Sequence, residues 1–183
     1  MRIGFGGGGH RAGGAVGCTV PGSCSSLAAV PARRRRRTSG GKVSDPKKWI
    51  PDVVRALDEH TDPETCARTL EACGRRCAPE NLVRKAREIY ERTGSLEGFL
   101  ADLGEVFDAL ELSDGKVYVV YPQCYCEQIR GVPVDEIPDV YCNCSVGWVK
   151  EIFEGALGRP VRVTRCSTVI AGDSECRFEV DLG

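Results

Sequence analysis

Six cysteines stand in three close pairs: Cys73 with Cys77, Cys124 with Cys126, and Cys142 with Cys144. The chain holds 11 cysteines in 183 residues but only two histidines. One histidine, His10, lies in a low-complexity stretch, so His60 is the only imidazole in the part that reads as folded. The chemistry available is therefore that of sulfur and carboxylates. Thiolates with one to three residues between them can turn to one soft ion from a short loop, which suits zinc or an iron–sulfur cluster. Thiol–disulfide exchange is the competing use of such pairs. The expected metal set is Cys73, Cys77, Cys124, Cys126, Cys142 and Cys144, with Cys176 as a further candidate.

The elements that must position these residues fall into two halves. In the first half the spacing predicts helices. Ser44-Asp45-Pro46 and Asp62-Pro63-Glu64 read as helix starts, with a capping oxygen followed by Pro. Cys66, Leu70 and Cys73 share a face at i, i+4 and i+7, and Gly74 reads as the stop of that helix. Pro79-Glu80 opens a third helix. Ser95 caps a fourth, whose apolar positions run from Leu96 through Leu103 and Phe107 to Leu110.

In the second half the period changes. Lys116 to Tyr121 is a β-rich run after the turn pair Asp114-Gly115. Cys124 and Cys126 follow it, and a loop rich in Gly and Pro leads to Cys142 and Cys144. Ser145 then caps a helix with the stripe Val149, Ile152, Phe153, Ala156 and Leu157. Two strands close the chain. The first changes parity between Val163 and Cys166, which predicts a bulge near Thr164-Arg165. The second alternates cleanly through Cys176, Phe178, Val180 and Leu182. Three strands with helices on one side predict an α+β domain of N-terminal helices packed on a small antiparallel sheet.

Cys142 and Cys144 fall at a helix start, where free N–H groups and the helix dipole favour the thiolate. They are thus also the candidate nucleophiles of a thiol enzyme, with Glu127 or Asp139 as proton acceptor. Tyr121, Tyr125, Arg130, Tyr141 and Trp148 cluster around the cysteine loop and suit a small planar or anionic ligand. Cys66 and Cys166 lie on apolar faces and read as core. His60 reads as a surface residue near a helix C-terminus.

Composition separates residues 1–43 from the rest. They hold 11 of the 22 glycines, the run Arg33 to Arg37, eight Lys/Arg and no Asp/Glu. Residues 44–183 carry 17 Lys/Arg against 26 Asp/Glu, a charge of −9. The first segment reads as a disordered basic tail, which excludes Cys18 and Cys24 from any site. No aromatic residue interleaves the arginines, which argues against a nucleic-acid arm. No apolar run follows them as an export signal requires. Residues 44–183 suit a single cysteine-rich domain. With no apolar run of membrane-spanning length and an odd cysteine count in this part, the expectation is a cytoplasmic protein without a membrane partner.

Residues 116–183 resemble the C-terminal part of the 4-vinyl reductase domain. The likeness rests on Cys144-Ser145-Val146-Gly147-Trp148, on Leu157-Gly158-Arg159-Pro160-Val161, and on Gly172-Asp173-Ser174-Glu175-Cys176-Arg177-Phe178. Together with Cys73-Gly74-Arg75-Arg76-Cys77 and Tyr141-Cys142-Asn143-Cys144, the pattern is similar to a cysteine-rich bacterial branch. Some relatives there are named L-2-amino-thiazoline-4-carboxylic acid hydrolase-like. The resemblance implies an α+β domain that binds a small molecule, as a sensor or accessory and as a homodimer. The named relatives imply a hydrolase of a small cyclic C=N or amide substrate. The resemblance also implies a zinc held by a Cys before the helix, an acidic residue and two Cys of the last hairpin. Cys142 or Cys144 and Cys176 match, whereas the acidic position holds Arg165 and the other cysteine position holds Thr168.

Overall fold

The computed structural model describes residues 48–183. The basic tail, with Cys18 and Cys24, and the helix start at Ser44-Asp45-Pro46 lie outside the described residues. The domain is α+β, as the change of period predicts. Four helices come first: α1 Trp49–His60, α2 Pro63–Cys77, α3 Glu80–Thr93 and α4 Leu96–Gly104. The hairpin β1 Leu110–Ser113 and β2 Lys116–Tyr121 follows. Then come α5 Asn143–Leu157, β3 Arg162–Ser167 and β4 Cys176–Asp181. The strands form one antiparallel sheet in the order β1-β2-β4-β3.

Local chemistry sets most of the boundaries. Asp62 accepts from the Thr65 N–H at 2.9 Å, with Pro63 in the first turn of α2. Ser95 accepts from the Gly98 N–H at 3.2 Å and starts α4. The β1–β2 turn needs two consecutive residues at positive φ, and Asp114 (φ 52°) with Gly115 (φ 74°) provides them.

Four boundaries differ from the sequence reading. Gly74 does not stop α2, which runs on to Cys77. The fourth helix ends at Gly104, and Leu110 begins a fourth strand. That strand is only four residues long, and its first leucine continues the helical spacing of the preceding segment, which masks it. β3 ends at Ser167, with its register shift between Arg165 and Ser167. The chain then turns through a short 3-10 segment, Val169–Ala171. Finally, α5 starts at Asn143, two residues before Ser145.

The inner face of the sheet carries Val117, Val119, Val163, Phe178 and Val180. It packs against Ala86 and Ile89 of α3, Phe99 and Leu103 of α4, and Val149, Ile152 and Phe153 of α5. Phe99, Phe153 and Phe178 are fully buried, and burying each contributes about 2–3 kcal/mol. A second, smaller core holds Val54 of α1 and Cys66 and Leu70 of α2, together with Ile129, Ile137 and Tyr141 from the β2–α5 loop.

The two cores meet where α2 crosses α5, and there the helices touch backbone to backbone. A Cβ on Gly74 would lie 1.7 Å from the Cys144 carbonyl oxygen. A Cβ on Gly147 would lie 1.9 Å from that of Glu71. Glycine at both positions is thus a steric requirement. Ion pairs flank the crossing: Lys150 to Glu71 at 2.7 Å, and Arg75 to Glu154 at 2.7 Å and to Glu151 at 3.2 Å.

Gly74→Ala and Gly147→Ala are each expected to destabilise the domain by about 3 kcal/mol or more, because backbone cannot give way as a side chain does. Gly104→Ala is the control. Its Cβ would come no nearer than 4.0 Å to Leu110, and removing a helix glycine there is expected to cost nothing or to stabilise by up to about 1 kcal/mol. Urea denaturation of the three variants checks the contrast.

Candidate functional site

The 21 residues from Pro122 to Cys142 carry one cysteine pair, Cys124 and Cys126, and the first member of another, Cys142. The loop folds through three short 3-10 turns: Glu127–Ile129, Val134–Glu136 and Asp139–Cys142. Ile129, Ile137 and Tyr141 enter the second core and draw the loop back across α1 and α2. A hydrogen bond of 3.0 Å joins the Cys126 Sγ and Tyr141 Oη atoms, near the two ends of the loop.

Two sulfur neighbourhoods result. In the first, Cys126 from the loop touches the Tyr141 hydroxyl, and Cys144 from the first turn of α5 and the exposed Cys77 from the end of α2 lie near enough to act on it. Burial pushes the Tyr141 phenol far up, the hydrogen bond to Cys126 adds to this, and Cys144 and Cys77 raise it further. The Cys144 thiol is pushed up to about 12, first by burial and then by Cys126, Cys142 and Cys77.

In the second neighbourhood, Cys142 faces Cys176, Thr168, Arg165 and Asp139. Burial pushes the Cys142 thiol up to about 12, and a hydrogen bond with Thr168 offsets part of the rise. Burial also raises the Cys176 thiol, although the Val169 N–H donates to its sulfur at 3.4 Å. Cys124 acts on Cys176 from the start of the loop.

The four positions that the resemblance assigned to zinc thus come together as Cys142, Arg165, Thr168 and Cys176. Their chemistry does not fit a cation. The Arg165 guanidinium forks onto the Asp139 carboxylate at 2.8 and 2.9 Å and also donates to the Asp139 carbonyl. The buried Thr168 hydroxyl donates to the same carboxylate at 3.2 Å. A fixed positive charge already stands where the resemblance has an acidic ligand.

The other expectations divide. The helix start was expected to favour thiolates at Cys142 and Cys144, but burial outweighs the dipole and both thiols are neutral. Cys66 is buried in the second core as predicted, and burial raises its thiol. Cys166 is exposed at the irregularity of β3 rather than in the core. Cys73 is exposed one turn before Cys77. His60 is exposed at the end of α1. Asp139 is committed to Arg165 and so is not a free base. Glu127 is exposed and paired with Arg130.

Of the expected ligand set, Tyr121, Tyr125 and Trp148 do meet. Tyr121 lies edge-on to Tyr125 at 6.0 Å and to Trp148 at 6.2 Å, and Trp148 reaches Phe107 at 5.9 Å. Arg130 is exposed and paired with Glu127, and Tyr141 belongs with the sulfurs. Among the described residues, no three His, Cys, Asp or Glu side chains are already turned to a shared point that would hold a metal ion. The sulfurs are neighbours without yet being ligands.

Two residues have roles that the sequence reading did not give them. Thr168 enters there only as the residue at a missing cysteine position, yet it is the one buried polar side chain among the described residues. Tyr141 reads as a ligand-facing aromatic, yet it closes the loop onto Cys126. The doubled aromatic-cysteine motif, Tyr125-Cys126 and Tyr141-Cys142, is the signal that could have found this pairing. In comparison with known proteins, a family model described as a family of unknown function, DUF6144, matches residues 35–182. No curated protein matches the chain.

The raised thiols make the stability of the reduced, metal-free protein sensitive to alkali. A group with a raised folded pKa contributes its stability in full below the unfolded value and loses it as pH rises through the folded value. For Cys142 and Cys144 that window runs from the ordinary 9.0 to about 12, and the Tyr121 and Tyr141 phenols are displaced in the same direction. The urea midpoint is expected to hold steady up to about pH 9 and to fall steeply above it, less steeply in Cys144→Ala. Urea titrations at stepped pH, with thiolate absorbance as the ionisation readout, check this.

Proposed function

The chain belongs to the DUF6144 family of unknown function, and we propose that it is a cysteine-based binder of a soft metal ion such as zinc. The ligands would be Cys77, Cys126 and Cys144, with Cys73 completing four. One observation carries this reading: thiols from three separate segments, half-buried at Cys126 and Cys144 and exposed at Cys77, lie close enough that Cys77 and Cys126 both raise the Cys144 thiol and the Tyr141 phenol. Cys73 and Cys77 stand at i and i+4 on α2, a spacing that puts two ligands on one helix face. A bound ion would replace the thiol protons and fasten the 122–144 loop to the ends of α2 and α5.

The alternative reading, a hydrolase or redox protein working through a thiolate at Cys142 or Cys144, is less well supported. With a pKa of about 12, only about one such thiol in 10⁵ is ionised at neutral pH. A metal overcomes this by binding energy, whereas a free nucleophile has no such help.

The experiment is titration of the reduced protein with Zn²⁺ and with Co²⁺ or Cd²⁺, which report sulfur ligation by charge-transfer absorption. The expected result is about one ion per chain, and a hundredfold excess over Kd should stabilise the fold by about 3 kcal/mol. Cys126→Ser and Cys144→Ser should abolish the absorption, while Cys166→Ser should leave it intact. Absence of sulfur-to-metal absorption in a folded, fully reduced protein would exclude the reading.

A further inference from the structure

An unexplained concentration of positive charge lies on another face. A groove of about 690 Å³ runs between the end of α2, the first half of α3 and the middle of α5. Four arginines line it, Arg75, Arg76, Arg84 and Arg87, against two carboxylates, Glu80 and Glu151. The surrounding domain is acidic, with a charge of −9 over residues 44–183, so the groove is a basic island in an acidic surface.

Two of these cations have no carboxylate to neutralise them. Arg75 is committed to Glu151 and Glu154, and Arg84 lies 3.9 Å from Glu88. Arg87 donates its Nε–H to the Gly155 carbonyl at 2.8 Å, which fixes the side chain and leaves the terminal nitrogens of its fork without a carboxylate. Arg76 has no hydrogen-bond or ion-pair partner among the described residues. A planar guanidinium fork matches a phosphate or carboxylate, which a point charge does not.

The groove continues into a second one. A further space of about 340 Å³ shares Arg87 and is lined by Tyr90, Ala156 and Leu157, with the carboxylate of Glu91 as its one acidic side chain. A largely apolar, partly aromatic shelf therefore adjoins the arginines, with Arg87 at the junction and Glu91 on its rim. The basic N-terminal segment is no candidate occupant, because its eight Lys/Arg and lack of Asp/Glu give it the same sign as the groove.

We infer that this double groove binds a small organic phosphate, its phosphoryl group held by Arg76 and Arg87 and its apolar or planar body laid along Tyr90 and Leu157. The inference is independent of the cysteine cluster, since no sulfur lines either groove.

The test uses ATP as the two-part probe, with adenosine and pyrophosphate as its halves, on the intact chain followed by NMR chemical shifts and calorimetry. ATP is expected to shift resonances of Arg76, Arg87, Tyr90 and Leu157 and to bind more tightly than either half. Arg76→Ala and Arg87→Ala should each weaken it roughly tenfold with the melting temperature unchanged. Raising NaCl from about 0.05 to about 0.5 M should weaken it as well. Arg87→Lys should not restore the affinity, because the fork is lost. Three results would each overturn the inference: ATP shifts confined to other surfaces, affinity indifferent to both arginines, or pyrophosphate binding as well as ATP.

Discussion

The site depends on one steric constraint, the contact of α2 and α5 at Gly74 and Gly147. Side chains normally keep helix axes 8–10 Å apart. Here each glycine faces a carbonyl of the other helix at a distance that would exclude a methyl group. The close approach brings the last turn of α2 beside the first turn of α5, and so Cys77 into the neighbourhood of Cys144. The flanking ion pairs are partly exposed, and pairs of that kind contribute at most about 1 kcal/mol each. They orient the crossing, while glycine permits it and apolar burial on both sides of α5 holds it.

Burial then governs the chemistry. A helix start normally lowers a thiol pKa through its dipole, an effect of about 1 kcal/mol. Removing a thiolate from water costs more, and at Cys142 and Cys144 that cost dominates. Polar side chains respond differently in the two sulfur neighbourhoods. Around Cys142, Arg165 and Asp139 neutralise each other and Asp139 also accepts from Thr168. Around Cys144 no cation among the described residues offsets the rise, and sulfur and phenol face one another as neutral groups.

Much of this was legible in the chain and some was not. The caps at Asp62 and Ser95, the Asp114-Gly115 turn and the alternation of β4 are local signals, each carried by two or three adjacent residues. The short strand β1 was not legible, because Leu103, Phe107 and Leu110 keep helical spacing past the true end of α4. Gly74 misled for a related reason: a glycine late in a helix reads as a stop, and only the partner helix reveals it as a point of contact. The three cysteine pairs were visible from their spacing. Their division into two neighbourhoods was not, because it depends on where the loop enters the second core. Cys166 went astray because the irregularity of β3 falls at that residue and returns its side chain to solvent.

The two borders of the sheet have a bearing on the company this domain can keep. β1, on one side, is only four residues long, and β3, on the other, breaks its ladder between Arg165 and Ser167. A strand from another chain would find few consecutive backbone partners along either side. The outward face between them is crossed by Lys116 with Glu179 and by Arg177 with Glu111 and Glu175, which favours hydration over stacking. The sheet of this sulfur-rich domain, with residues 44–183 at a charge of −9, thus disfavours sheet-to-sheet polymerisation by its architecture, independently of the oxidation state of its cysteines.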